Sequence, residues 1–207
     1  MAEKEYKIGH LLRSGITGFV AGCPIVDQEI PRFGELVHAP MGGKDRIYGI
    51  VHEISISDDG LVRQIINTSA PLDPTVIADN RTNRTVPMEI SVLAVGYRRD
   101  GAIHHLLPPR APLSLDVLYQ CSDAELAEFT GAGRFGYLRH LLRNPDLPVA
   151  ELIAAHVAQA AAVHSAAGNS TWKQQVSQEL ITLLRDDYQV LMQVLGALGD
   201  AFPISDL

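Results

Sequence analysis

Five arginines are the first candidates for chemistry. Arg81 and Arg84 sit among Asn80, Thr82, Asn83 and Thr85, and Arg98, Arg99 and Arg110 follow. A guanidinium offers a planar fork of donors, so such a set grips phosphate or an acidic partner if the fold brings it to one face. Single-stranded nucleic acid also asks for aromatic rings on which bases stack, and these are sparse among the five. The loop Gly42-Gly43-Lys44-Asp45 invites comparison with a Walker phosphate loop. That loop needs GxxxxGK[ST] between a strand and a helix, with a hydroxyl after the lysine to hold magnesium. Here Asp45 follows Lys44 and the next segment reads as a strand, so an ordinary hairpin tip is expected.

Other reactive types give less. His104 and His105 are adjacent in a predicted strand and face opposite ways, so they do not share one ion. His140, His156 and His164 fall on predicted helices without a matching carboxylate pattern. Cys23 and Cys121 are far apart, with no CxxC spacing, and read as reduced, largely buried thiols. GxSxG is absent. The expectation is therefore a protein with no catalytic residues, no metal site and no cofactor.

Charge narrows the choice of partner. The 207 residues carry a formal charge of −7, unevenly spread. Residues 1–78 hold seven Lys or Arg against ten Asp or Glu, 79–143 eight against seven, and 144–207 two against seven. Broad neutralisation of a duplex scales with clustered positive charge and is disfavoured for the whole chain. The acidic last third suits a solvated surface or a basic protein partner. The start, MAEKEYKIGH, lacks an apolar leader, and no run of about eighteen apolar residues occurs, so a cytoplasmic protein without a membrane span is expected.

These groups would be positioned by two kinds of element. From Arg13 to Ile56 short apolar runs alternate with turn signals at Ser14-Gly15, Gly22, Pro31, Gly34, Gly42-Gly43 and Gly49, as a small closed barrel requires at its corners. Strands are predicted at Tyr6–Leu12, Ile16–Ala21, Gly34–Val37 and Ile47–Ser57. In the last of these Tyr48, Ile50, His52, Ile54 and Ile56 share a face, and Gly49 marks a bulge or a close backbone approach. Ser57-Asp58-Asp59-Gly60 predicts a tight turn into a return strand, Leu61–Asn67, paired with Tyr48–Ile56. Met88–Tyr97 alternates and becomes apolar on both faces towards its end. Arg98-Arg99-Asp100-Gly101 turns into Ala102–Leu107. Pro108 to Pro112 interrupts the sheet, and Leu113–Tyr119 is a candidate closing strand.

Near Cys121 the period changes from two to about 3.6. Ser122-Asp123-Ala124-Glu125 is a capping box opening a brief helix that ends before Gly131. Arg134–Arg143 predicts a second helix, stopped by Asn144-Pro145. A third starts around Pro148, with Val149, Leu152, Ile153, His156, Val157 and Ala160 as its apolar stripe. A fourth runs from Trp172 to about Leu198 and forms an antiparallel hairpin with the third. Its stripe includes Trp172, Val176, Leu180, Leu184, Tyr188, Leu191 and Leu195, the candidate contact for self-association. The fold class is thus α+β: a small closed antiparallel β-barrel over residues 1–120, then an all-α domain over 121–207 with a helical hairpin.

The segment Phe33-Gly34-Glu35-Leu36-Val37, the glycine-rich loop from Met41 to Arg46, and Tyr48-Gly49-Ile50-Val51 together resemble the HAS-barrel. That is the N-terminal barrel of HerA-type DNA translocases and of F-type ATP synthase subunits. The apolar strand Glu89–Tyr97, then Gly101 and the proline-rich exit, is similar to how such barrels finish. The likeness covers roughly the first half of the chain. It implies an assembly module that sits in rings and works beside a separate HerA-type ATPase. No motor motif is present, so ATP hydrolysis does not carry over. The expected function is a non-catalytic interaction or assembly module, with a protein partner or a second copy as its contact. A nucleic-acid-binding barrel using the five arginines is the alternative.

Overall fold

Glycine-punctuated runs of alternating apolar residues become strands because each buries every second side chain and turns sharply at its end. The computed structural model of the chain describes residues 6–23, 30–57, 73–75 and 87–202. The Asp58-Asp59-Gly60 part of the predicted turn, the return strand Leu61–Asn67, and Arg81 and Arg84 lie outside the described residues.

Among the described residues the strands are β1 (Lys7–Ser14), β2 (Gly18–Cys23), β3 (Leu36–Gly42), β4 (Asp45–Ile56), β5 (Met88–Arg99), β6 (Ala102–His104) and β7 (Val117–Gln120). Their order is β2-β1-β7-β3-β4-β5-β6, and β2 also pairs with β5. Six strands therefore close a ring in which every neighbour is antiparallel, and β6 extends β5 as a hairpin arm outside it. Closure removes the exposed edges that an open sheet would present. Ile8, Leu11, Phe19, Val37, Ile47, Val51, Ile90, Val92 and Leu118 fill the interior.

Chain order in the helical part is α1 (Asp123–Gly131), α2 (Leu138–Leu142), α3 (Val149–Ala166), α4 (Trp172–Leu184) and α5 (Tyr188–Ala201). The helices pack on the outside of the barrel wall. Leu36, Tyr48, Ile50, Leu93 and Val95 from the sheet share one core with Phe129, Tyr137, Leu141, Leu152, Val157, Trp172, Val176 and Leu198. The α+β class is as expected. The barrel wall gives the helices much of the cover that their apolar faces need.

Several local expectations change. Tyr48 and Ile50 face the helices rather than the barrel interior, which receives Ile47, Val51 and Ile54. The irregularity between Val51 and Glu53, with His52 as the extra residue, shifts the phase, so no single face runs from Tyr48 to Ile56. Gly49 takes the predicted close approach: a Cβ there would overlap Val92 Cγ1 and lie 2.9 Å from the Leu93 carbonyl oxygen. Tyr48, Gly49 and Ile50 already pair with β3 on one side and β5 on the other, so that part of the pairing predicted for Leu61–Asn67 is taken.

The closing strand exists but is shorter than Leu113–Tyr119. Val117–Gln120 slots between β1 and β3, while Leu113 and Leu115 are exposed and Leu115 has a left-handed φ of 71°. The second predicted helix shrinks from Arg134–Arg143 to α2, because Gly133 (φ 57°) and Phe135 (φ 52°) turn the chain in left-handed conformations before it. The predicted Trp172–Leu198 helix is broken. Asp187 caps a new start by accepting from the Val190 N–H (3.1 Å), and α5, rather than α4, is the main neighbour of α3. The hairpin's second arm is thus two helices. Among the described residues no helix is long and apolar enough to cross a membrane.

Candidate functional site

Two hairpin tips meet at one end of the barrel. The β3–β4 tip turns through Gly42 (φ 106°) and Gly43 (φ 60°), and the β5–β6 tip through Asp100 (φ 50°) and Gly101 (φ 83°), a two-residue turn between Arg99 and Ala102. The Asp100 N–H donates to Asp45 Oδ1 (3.1 Å), tying one tip to the other. Gly42 leaves room for Arg110, whose Nη2 occupies the place a Cβ would take.

Register then determines the charges. Arg46 on β4 and Arg98 on β5 are direct cross-strand partners. Like charges at such positions repel, so they need counter-charges. Helix α1 supplies two. Glu125 pairs with Arg46 Nη1 and Glu128 with Arg98 Nη2, and three-residue spacing puts both carboxylates on one side of the helix. Glu125 also completes the capping box: its N–H donates to Ser122 Oγ (3.3 Å) and its carboxylate accepts from the Ser122 N–H (3.2 Å). One residue therefore starts the helix and docks it. The sequence showed the box but carried no sign of the arginine contact, which depends on strand register.

Behind this clamp lies a polar junction. His38 on β3 is buried, with Nε2 3.3 Å from Arg46 Nη1 and 3.8 Å from Glu125 Oε2, and its ring stacks on Tyr119 of β7 (centroids 5.3 Å apart). The Tyr48 hydroxyl is buried without a hydrogen-bond partner, and burial raises its pKa above the ordinary phenol value. Burial likewise raises the Cys121 thiol, which keeps it protonated and a poor nucleophile at neutral pH. In front of the junction is a cleft of about 570 Å³, lined by His38, Pro40, Gly43, Lys44, Asp45, Arg46, Arg98, Gly101 and Tyr119.

Of the five arginines singled out from sequence, Arg98, Arg99 and Arg110 reach this end of the barrel, where Lys44 and Arg46 join them. Arg99 is exposed beside Asp100 (3.8 Å). The helical candidates divide differently. Trp172, Val176, Leu180 and Leu184 are buried in the chain's own core, so they are not available to a second copy. Trp172 stacks on His164 (4.5 Å) and donates its indole N–H to the Thr130 carbonyl (3.3 Å). Tyr188 is 72% exposed, and Leu191 and Leu195 are half-buried. Met192, which sequence reasoning passed over, is exposed with them. Where α3 and α5 meet, an apolar groove of about 1120 Å³ opens beside Val149, Ala154, Val190 and Ala197.

The histidines are accounted for by packing. His104 stacks on Tyr97 (4.8 Å), and the His105 Nε2–H donates to the Phe129 carbonyl (3.0 Å). The His156 Nδ1–H donates to the Gly34 carbonyl (2.9 Å), and burial pulls this imidazole down to about 4. Gly34 (φ 81°) is needed there, since a Cβ would come within 2.8 Å of the His156 backbone nitrogen. Among the described residues no three His, Cys, Asp or Glu side chains group as a metal site. The chain matches no protein-family model and no curated protein.

Proposed function

We propose that this protein is a non-catalytic interaction or assembly module. The observation that carries the reading is the outward side of α5. Tyr188, Met192, Leu195 and Gly199 recur at helical spacing away from the buried Val194 and Leu198, and among the described residues nothing lies within 4 Å of where Cβ atoms on Gly196 or Gly199 would be. A glycine inside a helix costs about 1 kcal/mol relative to alanine. Two of them with no neighbour there among the described residues, beside an exposed tyrosine and methionine, suit close approach by another backbone. By the HAS-barrel resemblance the contact is a second copy of the chain or a HerA-type ATPase acting on DNA inside the cell.

Size-exclusion chromatography with light scattering tests this, on the chain alone and mixed with a HerA-type ATPase. The expected result is a mass above the 22.5 kDa of one chain, or co-elution with the ATPase, and its loss in Tyr188→Glu/Met192→Glu with helicity retained. A monomer that ignores the ATPase overturns it. The second reading, a nucleic-acid-binding barrel, draws on the gathering of Arg98, Arg99 and Arg110 with Lys44 and Arg46 at one rim. A salt-dependent titration with single-stranded DNA separates the two, because phosphate contacts give affinity that falls steeply with salt.

A further inference from the structure

We propose that the cleft between the two hairpin tips is a binding site for a phosphate-bearing ligand, held by Lys44 and Arg98. The proposal does not rest on the assembly reading.

Its first support is convergence. Lys44, Arg46 and Arg98 line one concavity, and among the described residues Asp45 is the only carboxylate that lines it with them. Asp45 is already engaged by the Asp100 N–H. The other two acids of the network, Glu125 and Glu128, lie on α1, and they hold their arginines unequally. Glu125 is 14% exposed, contacts Arg46 and caps the helix, so it stays as scaffold. Glu128 is 52% exposed, and a pair so open to water is weak, so an incoming anion can take Arg98 from it. Lys44 has no carboxylate partner among the described residues and is exposed at the cleft.

Shape is the second support. At about 570 Å³ the cleft lies in the range of small-ligand sites and exceeds what a bare ion needs. Pro40 and the Tyr119 ring give it apolar walls. Gly43 and Gly101 also line it, and among the described residues nothing lies within 4 Å of where their Cβ atoms would be. Side-chain cations do the holding, in contrast to a Walker loop, where backbone amides do. A phosphate with three acceptor oxygens can satisfy a lysine and a guanidinium together.

The test is a titration of the full chain with sodium tripolyphosphate, followed by amide shifts in NMR at constant ionic strength, with chloride as the control. A parallel titration uses a short single-stranded oligonucleotide. Saturable shifts confined to the Lys44–Arg46 and Arg98–Gly101 segments are expected. Lys44→Gln should weaken binding at least about tenfold, as expected for loss of a charge-assisted hydrogen bond. Glu128→Gln, which removes the competing carboxylate, should tighten it. Saturation by tripolyphosphate alone identifies a free phosphate compound as the ligand, and tighter binding of the oligonucleotide identifies a nucleic-acid backbone. The absence of saturable shifts with both probes overturns the proposal. So does equal binding by Lys44→Gln, or weaker binding by Glu128→Gln with its melting temperature unchanged.

Discussion

Single residues carry opposite kinds of constraint here. Gly49 is constrained by space, because the barrel wall leaves its Cα against Val92 and Leu93. Gly49→Ala should therefore destabilise the fold by about 1–3 kcal/mol, the usual cost of overpacking, seen as a lower urea midpoint. His156 is constrained by burial. Its imidazole titrates near 4 in the folded chain against 6.5 when exposed, and its Nε2 has no partner. Between these values the unfolded chain holds a proton that the folded chain refuses. Stability therefore rises as pH rises from about 4 to about 6.5 and is complete above that, a change on the order of 3 kcal/mol. Burial lowers His52, His105, His140 and His164 in the same direction. Urea melts from pH 4 to 7 should show a shallower slope in His156→Gln, whose amide can still donate to Gly34. An unchanged slope would count against this assignment.

At the scale of elements, the joint between α1 and the barrel rests on two ion pairs of unequal exposure. The Arg46–Glu125 pair is mostly shielded, at 28% and 14% exposure, whereas Glu128 is half in water. Glu125→Gln should cost roughly 1.5–3 kcal/mol, the range for hydrogen bonds to charged groups. Glu128→Gln should cost less than about 1 kcal/mol, as exposed pairs do. Denaturant melts check the order, and a cycle with Arg46→Gln isolates the coupling. Equal costs at the two positions would show that the clamp is not asymmetric. The break between α4 and α5 is an element-scale event too. Asp187 offers the new helix a side-chain acceptor, and a long apolar stripe gave no hint that the chain would restart there.

For the whole molecule, the decisive feature is that the helices and the outer wall of the barrel share a core. Without the helices, Leu36, Tyr48, Ile50, Leu93 and Val95 would face water, a patch that promotes association. A fragment of residues 1–120 should therefore bind a hydrophobic dye and elute as aggregate, while the full chain unfolds in one transition. A monomeric, dye-negative fragment would show that the barrel stands alone.

Periodicity and turn chemistry, both local, determined the architecture: strands at two-residue spacing with glycine corners, the tips at Gly42-Gly43 and Asp100-Gly101, the capping box at Ser122, and the change to helices near Cys121. Much of the candidate site was not legible in the same way. Arg98, Arg99 and Arg110 were visible as residue types, but Lys44 read as part of a plain hairpin tip and Arg46 drew no notice. Their meeting depends on β4 and β5 aligning Arg46 with Arg98 and on α1 laying Glu125 and Glu128 across them. A bulge at His52 decided that Ile54 turned inward after Ile47 and Val51, since one extra residue in a ladder reverses every later side chain. Such registers are set by contacts between distant segments, and spacing along one segment does not encode them.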